Sequence, residues 1–194
     1  MVNMIDLRNN FGGLGNRLFQ LAYLYKQARA GTISDIYLQD PAFFEPYGEE
    51  IRAIYGQGIE KTDMVSLHVR RGDYLGNKFY VDLNETDYYD QAIDQFPIDT
   101  KFLVFCADRQ EGSDDEADMA WAKQRFQGDN FEFFRGETEL EDFNAQAGCK
   151  AHIIANSSFS WWAAYVGGGK TVAPKKWYGD GRPGIPLLSE WTVL

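Results

Sequence analysis

The feature that most constrains the fold is the alternation of apolar strand candidates with helical segments from residue 64 onward. Short apolar runs predict strands at residues 64–69, 101–107, 131–136, 151–156 and 170–178. Helical segments lie between them at residues 84–96, 114–126, 139–149 and 157–168. Strands that alternate with helices through short connections are typical of a parallel sheet with helices on both faces. We therefore predict an α/β fold with a doubly wound parallel sheet in this part of the chain.

The chain before residue 63 contains a smaller set of predicted elements. A Gly-rich stretch, FGGLGN at residues 11–16, precedes a helical run at residues 17–30. Two strand candidates, MIDLRN at residues 4–9 and DIYLQD at residues 35–40, flank this helix, and a short helix is expected at residues 46–56. The order of strand, loop, helix and strand predicts a βαβ unit.

Composition argues against several classes of function. The 194 residues are 44% hydrophobic, which is enough for a packed core. The net charge of −10 argues against a nucleic-acid surface, because such surfaces are broadly basic. The sequence contains neither an apolar run of roughly 20 residues, as a membrane-spanning helix needs, nor a signal-peptide pattern at its start. We therefore expect no integral membrane segment and a cytoplasmic location.

The cysteines, histidines and acidic residues do not form a recognisable metal-binding pattern. The two cysteines lack CxxC spacing, and His68 and His152 are far apart in the chain, so we predict no metal and no cofactor. Acidic residues concentrate at residues 111–118 and 137–142. Because acidic side chains favour helix N-termini, both stretches are expected to be solvated helix starts or loops.

The stretch HVRRGDY at residues 68–74 joins a strand end to two adjacent arginines. A guanidinium is a permanently charged fork that fits a pair of phosphate oxygens, so Arg70 and Arg71 are candidate phosphate ligands. Two alternatives stay open: a surface ion pair between an arginine and Asp73, and a core position for His68. The RGD tripeptide also suggests a cell-adhesion loop, but the sequence lacks the signal peptide and disulfide framework of such proteins.

Other polar stretches also lie at predicted strand ends. NSSFSWW at residues 156–162 places asparagine and serine at a helix start, where amides and hydroxyls bind anions, although they also fit the caps of a core helix. FGGLGN fits either a ligand-binding loop or a plain strand-to-helix turn. Because ligands bind beyond the carboxyl ends of parallel strands, HVRRGDY, CADR at residues 106–109 and NSSFSWW are expected to share one site. Arginines and helix-terminal hydroxyls suit a nucleotide diphosphate held without a metal.

The three stretches GGLGN, HVRRGDY and ANSSFSWW, in this order, resemble the α-1,2-fucosyltransferases of glycosyltransferase family 11. The resemblance implies a GT-B-like architecture of two Rossmann-type halves around a cleft. It also implies GDP-fucose as the donor and an inverting, metal-independent transfer to a sugar hydroxyl, commonly the 2-OH of a galactoside. The expected acceptor is an oligosaccharide or a lipid-linked glycan.

The resemblance implies roles for particular residues. Arg70 is the implied main ligand of the diphosphate and stabilises the charge of the leaving group, with Arg71 in support. Asp73 is the first candidate for the base that accepts the proton of the acceptor hydroxyl, and Glu45 is the second. The other implied donor-binding residues are His68 near the nucleotide, Asp108 at the guanine base, and Gly13 and Asn16 at the diphosphate or the fucose. The resemblance also implies that Ser158, Phe159 and Ser160 meet the phosphates and the nucleoside, and that Asn156 belongs to the donor site.

The chain departs from the family pattern in two ways. The family usually has FSDD after the central strand, where this chain has FCADR, so Arg109 replaces the second acid. About 50 residues separate GGLGN from HVRRGDY, which is fewer than the family implies. We therefore predict a reduced acceptor-side half at residues 1–62 and a GDP-sugar-binding half at residues 63–194. The alternative function is a non-catalytic nucleotide-sugar-binding module that has lost acceptor-binding elements.

Overall fold

The structure is a computed structural model that describes residues 13–30, 40–106 and 114–194, with the backbone alone at residues 28–30 and 43. The helices are α1 (Leu14–Ala30), α2 (Gly48–Tyr55), α3 (Tyr88–Ile93), α4 (Asp115–Arg125), α5 (Glu139–Gly148) and α6 (Ser158–Gly167). The strands are β1 (Thr62–His68), β2 (Phe102–Phe105), β3 (Phe131–Phe133), β4 (Cys149–Ile153), β5 (Thr171–Ala173) and β6 (Thr192–Val193). Short 3-10 turns include Glu45–Tyr47 before α2 and Gly72–Tyr74 after β1.

The six described strands form one parallel sheet in the order β3-β2-β1-β4-β5-β6. The chain builds the sheet outward from β1 through β2 to β3, returns to place β4 on the other side of β1, and then builds outward again. This order is that of a doubly wound Rossmann-type sheet. Successive strands are added toward one edge from β1 to β3 and toward the other edge from β4 to β6, so the strand order switches between β1 and β4. The predicted α/β class and parallel sheet are therefore confirmed.

Each face of the sheet is covered by helices, as buried apolar strands require. On one face, apolar residues of β1, β2 and β4 such as Leu67, Val104 and Ile153 form a core with side chains of α3 and α4. On the other face lies α6, which contacts β4, α5, α1 and α2. Every side chain of α6 from Ser160 to Val166 is buried, so this helix is the centre of the second core.

Aromatic rings dock the first two helices onto α6. Phe19 of α1 lies with its ring centroid 4.8 Å from that of Trp161 and 4.9 Å from that of Trp162. Phe44, just before α2, stacks on Trp162 at 5.2 Å and is fully buried. Such ring pairs stabilise a fold by about 0.5–1.5 kcal/mol each beyond the area that they bury. The α1 and α2 helices are thus part of the same packed body as the sheet.

The predicted elements after residue 62 are found in their predicted order, with ends that differ by a few residues, and β6 was not predicted. In the first 62 residues, both predicted helices are found, as α1 and α2. The predicted strand at residues 4–9, and that at residues 35–40 except for Asp40, lie outside the described residues. The division of the chain at residue 62 and a two-half arrangement therefore stay predictions.

Candidate active site

The candidate site lies at the carboxyl ends of β1 and β4, where the strand order of the sheet switches. His68 ends β1, and Asn156 follows β4 closely. The Tyr74 hydroxyl links the two strand ends by donating a hydrogen bond to the Asn156 carbonyl oxygen at 3.0 Å. The prediction that HVRRGDY and NSSFSWW come together is therefore confirmed. Ligands of doubly wound sheets bind in the crevice at this position.

Arg70 leaves β1 and lies against an acid and an aromatic ring. Its Nη2 is 2.6 Å from Oδ1 of Asp73, and its guanidinium carbon is 5.0 Å from the ring centroid of Tyr74. Tyr74 in turn stacks on Tyr80, with the ring centroids 3.9 Å apart and the planes almost parallel. Burial raises the pKa of the Tyr74 hydroxyl well above its usual value. Arg70 thus rests on a neutral tyrosine, and the ion pair with Asp73 that sequence analysis left open is present.

Arg71 is held by residues that the sequence analysis did not single out. Its Nε donates a hydrogen bond of 2.8 Å to Oδ1 of Asp118, and its guanidinium carbon lies 4.1 Å from the ring centroid of Trp121. The second oxygen of Asp118 accepts a hydrogen bond from the backbone N–H of Gly72 at 3.0 Å. Asp118 therefore holds both the side chain and the backbone of the turn after β1.

The burial of Asp118 corrects one prediction made for the acidic stretches. Asp118 is 4% exposed, and Asp142 in the second stretch is 7% exposed. A buried carboxylate is stable only when hydrogen bonds replace its hydration, and Asp142 accepts one from the backbone N–H of Gly136 at 2.6 Å. The expectation that both stretches are solvated was wrong at these two residues. The carboxylate of Asp118 accepts hydrogen bonds from Arg71 and Gly72 in a distant segment, and that of Asp142 accepts one from the backbone just before its own helix.

His68 lies in the core beside the arginines. It is 4% exposed, its Nδ1 has no hydrogen-bond partner among the described residues, and its ring centroid is 5.9 Å from that of Phe159. Burial, reinforced by the positive charge of Arg70, lowers the pKa of His68 to about 3. The imidazole is therefore neutral at physiological pH, so His68 offers a ligand hydrogen bonding and ring contact but no charge.

Asn156 and Ser160 hold the corner between β4 and α6 together. The Asn156 amide nitrogen donates to the carbonyl oxygens of Val81 and Trp177, both at 2.9 Å. The Ser160 hydroxyl accepts from the backbone N–H of Ala155 at 3.2 Å and is 1% exposed. Both side chains therefore support the corner through backbone groups, while the capping residue of α6 is Ser157, whose hydroxyl accepts the backbone N–H of Phe159 at 3.3 Å. Their predicted contact with a donor stays a prediction.

Ser158 and Asn16 join the first polar stretch to the third. The Ser158 hydroxyl donates a hydrogen bond to Oδ1 of Asn16 at 3.0 Å, between residues 142 positions apart. Gly13 precedes α1, and its carbonyl accepts the backbone N–H of Arg17 at 3.2 Å. The amino ends of α1 and α6 thus meet beside the crevice, and both ends carry a partial positive charge.

The close approach of α1 and α6 depends on Gly15, which sequence analysis did not single out. A Cβ atom at Gly15 would lie 2.4 Å from the backbone nitrogen of Phe159 and 2.6 Å from the carbonyl oxygen of Ser158. Side chains at Gly15 are therefore incompatible with this contact. The glycine in GGLGN that sets the geometry is the third one, a detail that the tertiary contact alone reveals.

The acid expected at the guanine base and a cluster of metal-binding side chains are not seen in the described residues. Asp108 and Arg109 lie outside the described residues. Within the described residues, no group of three or more His, Cys, Asp or Glu side chains is placed to hold a metal ion. None of the helices in the described part of the chain is long and apolar enough to cross a membrane.

Comparison with known proteins decides the family. The model of Glycosyl transferase family 11 matches residues 8–193, which include all three polar stretches. The chain belongs to glycosyl transferase family 11. The predicted membership is therefore confirmed, and the family's relatives are enzymes named as glycosyltransferases.

Curated relatives from this family are similar to most of the chain. An alpha-1,2-colitosyltransferase of Escherichia coli is 31% identical over 72% of this chain and 54% of its own length. The O-antigen biosynthesis glycosyltransferase WbnK of Escherichia coli is 31% identical over 70% of this chain and 46% of its own length. The human galactoside alpha-(1,2)-fucosyltransferase 1 is 30% identical over 64% of this chain and 36% of its own length. The chain thus spans about half, or less, of the relatives that it matches. No solved structure gives a significant match.

Proposed function

We propose that this family 11 protein binds GDP-fucose at the β1–β4 crevice and transfers fucose, with inversion and without a metal, to a hydroxyl of a glycan acceptor. The 2-OH of a galactoside is the expected acceptor group. The observation that carries the proposal is that the segment bearing Arg70 and Arg71 contacts the corner before α6, through the Tyr74–Asn156 hydrogen bond and the His68–Phe159 ring contact. At the same corner, Asn16 contacts Ser158. This arrangement suits a diphosphate, because charged forks and helix amino ends both bind phosphate oxygens.

The chemistry of the transfer needs charge stabilisation at the leaving group. As the bond between fucose C1 and the β-phosphate oxygen breaks, GDP leaves with the electron pair and its β-phosphate gains negative charge. Arg70 and Arg71 supply two permanent guanidinium charges, and each is paired with a carboxylate, that of Asp73 or Asp118. We assign to them the stabilisation that a metal ion supplies in other transferases.

The Arg70–Asp73 ion pair suggests how the acid becomes available as a base. The side chain of Asp73 is 45% exposed and that of Arg70 is 13% exposed, so the carboxylate is the more accessible partner. A diphosphate that binds Arg70 competes with Asp73 for the guanidinium. The released carboxylate then accepts the proton of the acceptor hydroxyl as its oxygen attacks C1. Glu45 remains the second candidate, and it lies in an exposed turn before α2.

The GT-B-like arrangement, with residues 1–62 on the acceptor side, is part of this proposal. Support comes from Asn16, through which α1 reaches the crevice to contact Ser158. The donor-binding roles of His68, Phe159 and Asp108 also belong to the proposal. A cytoplasmic location stays a prediction.

Two measurements test the proposal in sequence. First, the melting temperature is measured with and without millimolar GDP, and we expect GDP to raise it; no shift would contradict the donor assignment. Second, GDP release is measured from GDP-fucose, GDP-colitose and GDP-mannose with a panel of galactoside and lipid-linked acceptors. We expect acceptor-stimulated release from GDP-fucose that survives EDTA. GDP binding without turnover on any acceptor would instead favour the non-catalytic binding module.

A further inference from the structure

From these contacts we infer that Asp118 is a positioning residue of the donor site, which acts by orienting Arg71 and fixing the turn at Gly72. The inference rests on the proposed binding of a nucleotide diphosphate by the arginines. Asp118 lies on α4 and is 47 positions away from Arg71 in the chain. Its two oxygens have different partners: Oδ1 accepts from the side chain of Arg71, and Oδ2 accepts from the backbone of Gly72.

The contact leaves the phosphate-binding end of Arg71 available. Asp118 engages Nε, and no hydrogen bond joins the two terminal nitrogens of Arg71 to any described residue. The ring of Trp121 supports the guanidinium at 4.1 Å. A guanidinium held through Nε and stacked on a ring loses little further freedom when its terminal nitrogens bind an anion. Asp118 and Trp121 therefore preorganise Arg71 for a ligand.

The hydrogen bond from the Gly72 backbone to Asp118 also positions the Arg70–Asp73 ion pair. Gly72 has a φ of 42°, in the left-handed region that favours glycine, so the turn is tightly defined. Arg70 precedes this turn and Asp73 lies within it. Because Oδ2 of Asp118 holds the Gly72 N–H at 3.0 Å, the carboxylate also fixes the backbone from which the Arg70–Asp73 pair projects. The side chain of Asp118 is 6% exposed, so this contact is shielded from water.

A double-mutant cycle on GDP affinity tests the inference. The dissociation constant of GDP is measured by calorimetry for the wild type, Asp118→Asn, Arg71→Ala and the double variant. Asparagine keeps the shape of the side chain but cannot accept both hydrogen bonds. We expect Asp118→Asn to weaken GDP binding about tenfold in the wild-type background and less than twofold in the Arg71→Ala background. Asp90→Asn, which removes the same charge from the Arg125 pair, is the matched control and is expected to leave the affinity within twofold.

The outcomes separate the inference from the proposed function. A lower melting temperature of Asp118→Asn with unchanged GDP affinity would show a purely structural role and overturn the inference. Equal weakening with and without Arg71, or a tenfold effect of Asp90→Asn, would also overturn it. Should Asp118→Asn fail to fold, Trp121→Leu removes the other support of Arg71, and the same cycle applies. A wild-type protein that binds no GDP would overturn both the inference and the donor assignment.

Discussion

Arg70 and Asp73 form an ion pair of 2.6 Å at the carboxyl end of β1, in which the side chain of the arginine is 13% exposed and that of the acid is 45% exposed. An exposed acid in such a pair contributes little to stability, typically about 0–1 kcal/mol. The less exposed arginine side chain is more constrained, because it has lost more of its hydration. We therefore expect Arg70 to bind the diphosphate of the proposed donor and Asp73 to leave the ion pair when the donor binds.

Replacing Arg70 is expected to weaken donor binding strongly. Arg70→Ala removes a charged hydrogen-bond donor worth about 1.5–3 kcal/mol, so GDP affinity should fall about 10–100-fold and the thermal shift with GDP should disappear. Thermal melting with a GDP titration checks this. Arg125→Ala removes an arginine from a peripheral pair with Asp90 and serves as the control. Unchanged GDP affinity in Arg70→Ala would reject the role of this residue.

Asp73→Asn separates binding from catalysis. Because the carboxylate competes with the donor for Arg70, GDP affinity should stay the same or increase slightly. Fucosyl transfer should fall about 100-fold or more, the size of a general-base contribution. Steady-state kinetics and calorimetry on the same preparation provide the measurement. Full activity in this variant would exclude Asp73 as the base and direct attention to Glu45.

Gly15→Ala is expected to destabilise the fold, although the same change usually stabilises a helix. Alanine normally stabilises a helix relative to glycine by about 1 kcal/mol. Here its Cβ would lie 2.4 Å from the backbone of Phe159, so we expect a loss of about 1–3 kcal/mol in the free energy of unfolding. Urea unfolding of Gly15→Ala and of the larger Gly15→Val should show a loss that grows with side-chain volume. A stabilised Gly15→Ala would mean that α1 does not pack closely on α6.

The two buried histidines predict a stability that falls in mild acid. Burial lowers the pKa of His68 to about 3 and that of His152 to about 4, below the usual 6.5. Between these values and pH 6.5 the unfolded chain binds more protons than the folded one. The free energy of unfolding should therefore decrease as pH falls from about 6.5 toward 4, by up to about 1.4 kcal/mol per pH unit for each histidine.

His68→Gln tests the pH prediction at one residue. This variant removes one titrating group, so urea unfolding at pH 5, 6 and 7 should show a shallower dependence on pH than the wild type. His152→Gln is the matched variant in the same core, although it also alters the 2.8 Å hydrogen bond with Ser66. Identical slopes for His68→Gln and the wild type would mean that His68 is protonated to the same extent in the folded and unfolded chains.

Much of the fold follows from local sequence patterns, whereas much of the site geometry does not. The β1, β2 and β4 strands are short apolar runs bounded by polar turns, and such runs can be predicted as strands from the local sequence alone. The β6 strand has two residues, so no periodicity can develop within it. Asp118 looks like an ordinary acid near a helix start, because its partner Arg71 is 47 positions away. Gly15 likewise acquires its role through a close approach to Ser158 and Phe159, which no local window contains.

Pairing of β1 with β4 brings the two halves of the crevice together from distant parts of the chain. The Ser66–His152 hydrogen bond within this pair spans 86 residues. Contacts between residues so far apart in the chain form slowly, because the entropy cost of closing a long loop comes before the contact stabilises the fold. During synthesis, therefore, the proposed nucleotide affinity can arise only after β4 and α6 have left the ribosome. Binding of the proposed nucleotide would then report that β4 and α6 have packed onto β1, and a chain shortened before α6 would have the arginines without the crevice.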